Sequence, residues 1–180
     1  MNRVGVLLAA GRSLRFGVED KLLATFQGRP LIAYAAEAFR NADLERRIAV
    51  ISNAELRPLL AGFDIVEIAA ALQSDSLRAA VSAAGYPDRL LVALGDMPLV
   101  TSQHLNSVVA RCPDNMASAS VENDQPMPPA CFSSTWLCRL SALTGDRGAG
   151  SLLRDLPQEL LLPAPGQLTD IDFPTDISRV

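Results

Sequence analysis

Three cysteines and a single histidine are all that this chain of 180 residues has of thiols and imidazoles. Cys112, Cys131 and Cys138 are odd in number and include no C-x-x-C pair, so neither a disulfide framework nor a zinc site is supported. The three thiols are expected to be buried packing residues. His104 has no nucleophile motif beside it, which argues against a catalytic triad. It stands one position off the apolar stripe Leu105, Val108 and Val109, so a partly exposed helix position is expected for it. No basic cluster with interleaved aromatics occurs and the formal net charge is -4, so nucleic acid is not an expected partner. No apolar run approaches the ~20 residues that a membrane span takes, and the first residues do not read as a secretory signal. The expectation is a cytoplasmic protein with no membrane partner. Internal repeats, linkers and low-complexity segments are also missing, and a single domain over 1–180 is expected.

What is present is ordinary for a folded domain. Hydrophobic residues make up 49% and charged residues 20%. A chain of this length buries roughly 70% of the surface its unfolded form exposes. Strand-length apolar runs alternate with amphipathic segments of helix length: strand 3–9, helix 30–40 with Pro30 in its first turn, strand 46–52, short helix 54–62, strand 64–69, helix 74–85 and strand 89–95. The rhythm continues less regularly with helix 101–111, strands near 116–122 and 128–132, helix 134–143, a glycine-rich turn with helix 145–155, and a strand-like "LTDID" before a short helix. The proline-rich pieces 126–129 and 163–166 read as loops. Alternation of this kind predicts a parallel sheet with helices on both faces, and a ligand site beyond the carboxyl ends of the strands.

Chemistry gathers at those ends. After the first strand, Ala9, Ala10 and Gly11 are small enough for backbone N–H groups to approach a ligand, and Gly11 is free to take a positive φ. Arg12, Arg15 and Lys21 bring three positive charges to the same loop, which fits a polyphosphate. The loop is neither a P-loop nor a dinucleotide fingerprint: no lysine follows Gly17 as a P-loop requires, and G-x-G-x-x-G is absent. A basic surface loop with glycine turns is the competing reading. Asp96, delivered by the buried strand of "LGDMPLV", suits Mg²⁺, which takes one or two carboxylates with phosphate oxygens and water. It also suits a plain capping role. Asp170 and Asp172 of "TDIDFP" would share one face of a strand, unless Asp172 caps the helix entered through Pro174. Ser74, Asp75 and Ser76 read as helix N-caps that could equally offer donors to a base or ribose.

The ordered set "LAAGRSLRFG", "DKLL", "GRPLI", "SDSLRAAV", "LGDMPLV", "GDRGA" and "DIDFP" resembles the MobA-like nucleotidyltransferase family, most closely its molybdopterin cytidylyltransferase branch. The resemblance implies an α/β, Rossmann-like three-layer αβα fold with a mostly parallel sheet. It also implies Mg²⁺-dependent transfer of a nucleotidyl group from a nucleoside triphosphate to a phosphate acceptor. Carried over to this chain, Leu8, Ala9, Ala10, Gly11, Ser13 and Ser76 would contact the nucleotide. Arg15 and Lys21 would hold its phosphates, and Asp96 with Asp172 would hold the metal. "LAAG" with "RPLI" resembles the cytidylyl branch, where the guanylyl branch has "LAGG", so CTP is expected, with molybdopterin as acceptor and a molybdenum enzyme as a recipient of the product. Where the family has a Gly-x-Pro-type segment on the acceptor side, this chain has "NDQPMPPACF" (123–132). A sugar phosphate acceptor, a family-related NAD(P)H-dependent oxidoreductase and a non-enzymatic nucleotide binder are the other readings. "GDRGAG" (145–150) matches the family, and its turn into a helix is a further candidate for an acceptor phosphate.

Overall fold

In the computed structural model, which describes residues 1–11, 20–69, 72–145, 147–171 and 176, the chain opens on β1 (Arg3–Ala9), apolar and buried on both faces. A small hairpin, β2 (Thr25–Phe26) with β3 (Arg29–Pro30), leads into α1 (Leu31–Asn41). Leu31, Ala35 and Phe39, with Ile32 and Ala36 beside them, recur one turn apart and are all buried. Pro30 stands just before the helix as its N-cap, one step earlier than expected. The orphan carbonyls at the other end are met by a residue from the sheet: the Arg47 guanidinium donates to the carbonyls of Phe39 at 2.7 Å, Ala42 at 3.1 Å and Arg40 at 3.2 Å. Gly5 lets α1 lie close on β1, since a Cβ there would come within 2.5 Å of Leu44 Cδ1 and 2.9 Å of the Phe39 ring.

The chain continues through β4 (Arg46–Ile51), a 3₁₀ helix over Ala54–Leu60, β5 (Asp64–Glu67), α2 (Gln73–Ala84), β6 (Arg89–Leu94) and α3 (Ser102–Arg111). Then come β7 (Ala117–Glu122), β8 (Gln125–Ser133), α4 (Leu137–Ser141) and β9 (Leu161–Pro163). Seven strands form one sheet in the order β5-β4-β1-β6-β8-β7-β9. β1 pairs in parallel with β4 on one side and β6 on the other, so the strand order reverses at the β1/β6 boundary, where open α/β sheets place ligands. One apolar cluster packs α1 and α3 on one face, and a second packs α2 and α4 on the other. The result is the expected three-layer α/β arrangement with a mostly parallel sheet. At the amino-terminal edge Arg3 pairs with Asp43 at 2.6 Å and Glu45 at 2.7 Å, and this contact holds the Glu45 carboxyl down at about 2.

The back half corrects several expectations. Residues 126–129 are not a loop but part of β8, which runs antiparallel to both β6 and β7. The turn before it passes through Asn123 and Asp124 at φ 49° and 59°, the left-handed pair that a two-residue hairpin needs. The helix expected over 145–155 shrinks to one 3₁₀ turn, Ala149–Leu152, too short to present a helix-end anion site. Residues 168–171 of "LTDID" are not a strand, while the unforeseen β9 closes the edge against β7. Cys112 and Cys131 are buried as expected, whereas Cys138 is exposed, on the solvent side of α4. His104 is buried too, because α3 turns it onto β7.

Candidate active site

Three parallel strands end side by side, β4, β1 and β6, and the polar groups of the site hang from those ends. The Gly95 N–H donates to the Leu8 carbonyl at 2.9 Å, locking the end of β6 to the end of β1. Leu8 is half-buried there, Ala9 and Ala10 are buried, and Gly11 is exposed. Gly11 does not take a positive φ, and among the described residues nothing lies within 4 Å of where its Cβ would stand. Among the described residues its smallness therefore serves no strained turn.

One residue beyond Gly95, Asp96 meets Lys21 from the 3₁₀ turn Lys21–Leu23: Nζ to Oδ2 is 2.6 Å, with side-chain exposures of 14% and 17%. The sequence separates the two by 75 positions, and the fold brings them together. The other carboxylate oxygen, Asp96 Oδ1, is buried with no hydrogen-bond partner among the described residues. Leaving such an acceptor unmet costs about 1–3 kcal/mol, more for a charged group, which makes Asp96 Oδ1 a candidate contact for a ligand. The Asp96 backbone carbonyl accepts from the Ile171 N–H at 3.1 Å, which brings the residues just before Asp172 against the end of β6.

Two residues that sequence reasoning passed over support this corner. Asp20 caps the Lys21 turn by accepting from the Leu22 N–H at 3.0 Å, and its second oxygen accepts from Asn53 Nδ2 at 3.0 Å. Asn53 stands two residues beyond the end of β4 and itself caps the next 3₁₀ helix through the Glu55 N–H. The Asp20–Asn53 bond therefore ties the turn that carries Lys21 to the end of β4. The signal for it was an asparagine placed shortly beyond a buried strand.

On the other face of the sheet, α2 starts differently from expectation. Neither Ser74 nor Ser76 caps it; Asp75 reaches back to accept from the Leu72 N–H at 3.2 Å, and both serines are buried. Ser74 Oγ is the second buried side-chain atom without a partner among the described residues. Arg15 and Ser13 of the opening loop, Arg12 with them, and Asp172 lie outside the described residues.

Residues 5–160 match the model of the MobA-like NTP transferase domain. The chain belongs to this family of nucleotidyltransferases. The purine catabolism protein PucB of Bacillus subtilis (strain 168) is 29% identical over 196 residues, covering 98% of this chain and 95% of that protein. A probable molybdenum cofactor guanylyltransferase of Pyrococcus furiosus is 34% identical over 108 residues, 60% of this chain and 54% of that one. Among solved structures, Rv0371c of Mycobacterium tuberculosis H37Rv superposes with a TM-score of 0.85 at 26% identity, covering 99% of this chain and 97% of that one. A manganese complex of the same protein superposes with a TM-score of 0.83.

A divalent cation, typical of this MobA-like family, fits the donors at Asp96. No three His, Cys, Asp or Glu residues cluster among the described residues. A hard cation that keeps waters and shares phosphate oxygens with a nucleotide does not need such a cluster. Asp96 Oδ1, buried and without a partner among the described residues, is an oxygen donor of the kind such a cation accepts. No helix among the described residues is long and apolar enough to cross a membrane.

Proposed function

We propose that this chain transfers CMP from CTP to the terminal phosphate of molybdopterin, releasing pyrophosphate in an Mg²⁺-dependent reaction. The observation that carries the reading is the unmet Asp96 Oδ1, held beside Lys21 at the β1/β6 boundary. An acceptor phosphate oxygen attacks the α-phosphorus, the bond to the β-phosphate oxygen breaks, and the new bond is a phosphoanhydride. The acceptor is already an anion near neutral pH, so no general base is called for. Positioning and charge neutralisation carry such a transfer.

The roles divide by strand end. The backbone of Leu8, Ala9, Ala10 and Gly11 borders the nucleotide, with Ser13 and the phosphate-binding Arg15 in the loop that follows. Lys21 places its ammonium on the phosphates and orients Asp96. Ser76, with the unpartnered Ser74 hydroxyl beside it at the start of α2, faces the base or ribose. Mg²⁺ bound by Asp96, with Asp172 as second carboxylate, would neutralise charge on the phosphates and assist departure of pyrophosphate. Residues 123–132 form the acceptor side. The whole works as one domain over 1–180, in the cytoplasm, where free thiols such as those here stay reduced. Handover of the product to a molybdenum enzyme follows from the lability of the cofactor.

The base preference rests on the "LAAG" resemblance, and the relatives named guanylyltransferases make GTP the second reading. Offering each nucleoside triphosphate with Mg²⁺ and either molybdopterin or a sugar phosphate, measuring pyrophosphate, and assaying NADH and NADPH oxidation in parallel tests these readings. Release with CTP supports the proposal, and release with GTP alone replaces the base. Release only with a sugar phosphate replaces the acceptor. Oxidation of NADH or NADPH without any release overturns the transferase reading for this chain.

A further inference from the structure

β7 and β8 run in register as far as Ala119 with Ala130, and the next pair is Ser120 with Met127. Pro128 and Pro129 therefore stand against a single step of β7. Proline has no N–H to give a ladder, and extra strand length bends the strand and leaves its carbonyls unpaired. The Pro129 carbonyl is nevertheless met, because the fully buried Ser120 hydroxyl donates to it at 2.8 Å. A hydroxyl has one proton. With that proton spent, Ser120 Oγ accepts from His104 Nε2 at 2.7 Å, which assigns the Nε2–H tautomer to the imidazole. One turn further along α3, Ser118 already ties β7 to the helix by donating to the Val108 carbonyl at 2.6 Å. The histidine thus adds its hold on β8 to a helix contact that exists without it.

The segment held in this way lies beside the transfer site. β8 makes its last pairing with β6 at Ala130 opposite Val92, so residues 125–128 continue past the end of β6, from which Asp96 emerges. Pro126, Met127 and Pro128 are half-buried along this stretch, and Met127 packs on the same apolar cluster as Met97.

We propose that His104 is a positioning residue for the phosphorylated acceptor: by donating to Ser120 it fixes the two-proline bulge, and with it the face that residues 125–128 turn toward the transfer site. This rests on the acceptor-side reading given above. The test compares wild type with His104→Leu, His104→Gln and Ser120→Ala, using CTP and molybdopterin with Mg²⁺, and follows amide hydrogen exchange along β7 and β8 in the same proteins. Losing one buried hydrogen bond in His104→Leu, and two in Ser120→Ala, is expected to raise the molybdopterin KM about tenfold or more while the CTP KM holds. His104→Gln, whose amide nitrogen replaces Nε2 as donor, restores it. Exchange accelerates at the amides of Gln125, Met127 and Ala130 and not in β1 or β4. Equal losses for both substrates, no rescue by glutamine, or an unchanged acceptor KM overturns the proposal. Should the wild type release no pyrophosphate from this pair, the substrate reading falls. Exchange alone then decides the role of His104: selective acceleration in His104→Leu supports it, and unchanged exchange at Gln125, Met127 and Ala130 ends it. If His104→Leu does not fold, Ser120→Ala carries the same comparison.

Discussion

At the carboxyl end of the parallel half, Lys21 and Asp96 meet at 2.6 Å with one carboxylate oxygen left unmet among the described residues. In the antiparallel half, the buried Ser118, Ser120 and His104 bond to one another and to the backbone. The first region leaves a charged group incomplete, and the second completes neutral groups. An incomplete buried charge is costly to the free protein, and in the function proposed above a substrate that brings phosphates and a cation relieves it. A closed neutral network shapes a wall and asks for no ion. The difference separates where charge is handled from where shape is held.

The sharpest way to break this comparison is Asp96→Asn, which keeps the shape and removes the charge. Turnover is expected to fall by at least about a hundredfold, given the several kcal/mol that a metal's charge stabilisation is worth, with circular dichroism unchanged. Full turnover would remove Asp96 from the chemistry. Lys21→Ala comes next: loss of a charge-assisted contact should cost about 1.5–3 kcal/mol in nucleotide binding or in kcat/KM. Unaltered kinetics and nucleotide titration would sink its phosphate role. Gly5→Ala tests the packing of the same half away from the site. Its new methyl meets Leu44 and the Phe39 ring, so urea unfolding should show a loss of about 1–3 kcal/mol, with activity per folded molecule kept.

The smallest effect concerns acid stability at the amino-terminal edge. Glu45 has its carboxyl lowered to about 2 by Arg3, so the unfolded chain binds its proton first as the pH falls. The contribution is fully present above the unfolded value near 4.5 and is lost as pH drops toward 2. Both partners are partly exposed, and screening limits the gain to about 1 kcal/mol or less. Glu45→Gln should therefore lower stability at neutral pH slightly and flatten its fall between pH 5 and 2, read by urea titration at each pH; an unchanged slope would discard the pairing.

Much of the front half was legible from residue order. Strands at 3–9, 46–52, 64–69 and 89–95 and helices at 30–40 and 74–85 all appear within a residue or two. Strands buried on both faces read as unbroken apolar runs, and their helices have one-turn periodicity. The back half was less so. Proline at 126, 128 and 129 argued for a loop, yet β8 accommodates it because the ladder skips a step there and a serine side chain replaces the missing bond. His104 looked exposed from its place beside the stripe, since nothing local says that a partner hydroxyl waits on β7.

Residue order alone determined the α/β alternation, the small-residue end of β1 and the carboxylate at the end of β6, because period and strand-end position are local properties of the chain. Tertiary structure alone decided that Lys21 faces Asp96, that Asp20 is tied to Asn53 and that His104 supports Ser120. Each of those contacts joins residues distant in the chain, and only the parallel register of β4, β1 and β6, and the inserted antiparallel β8, brings their side chains within hydrogen-bonding range.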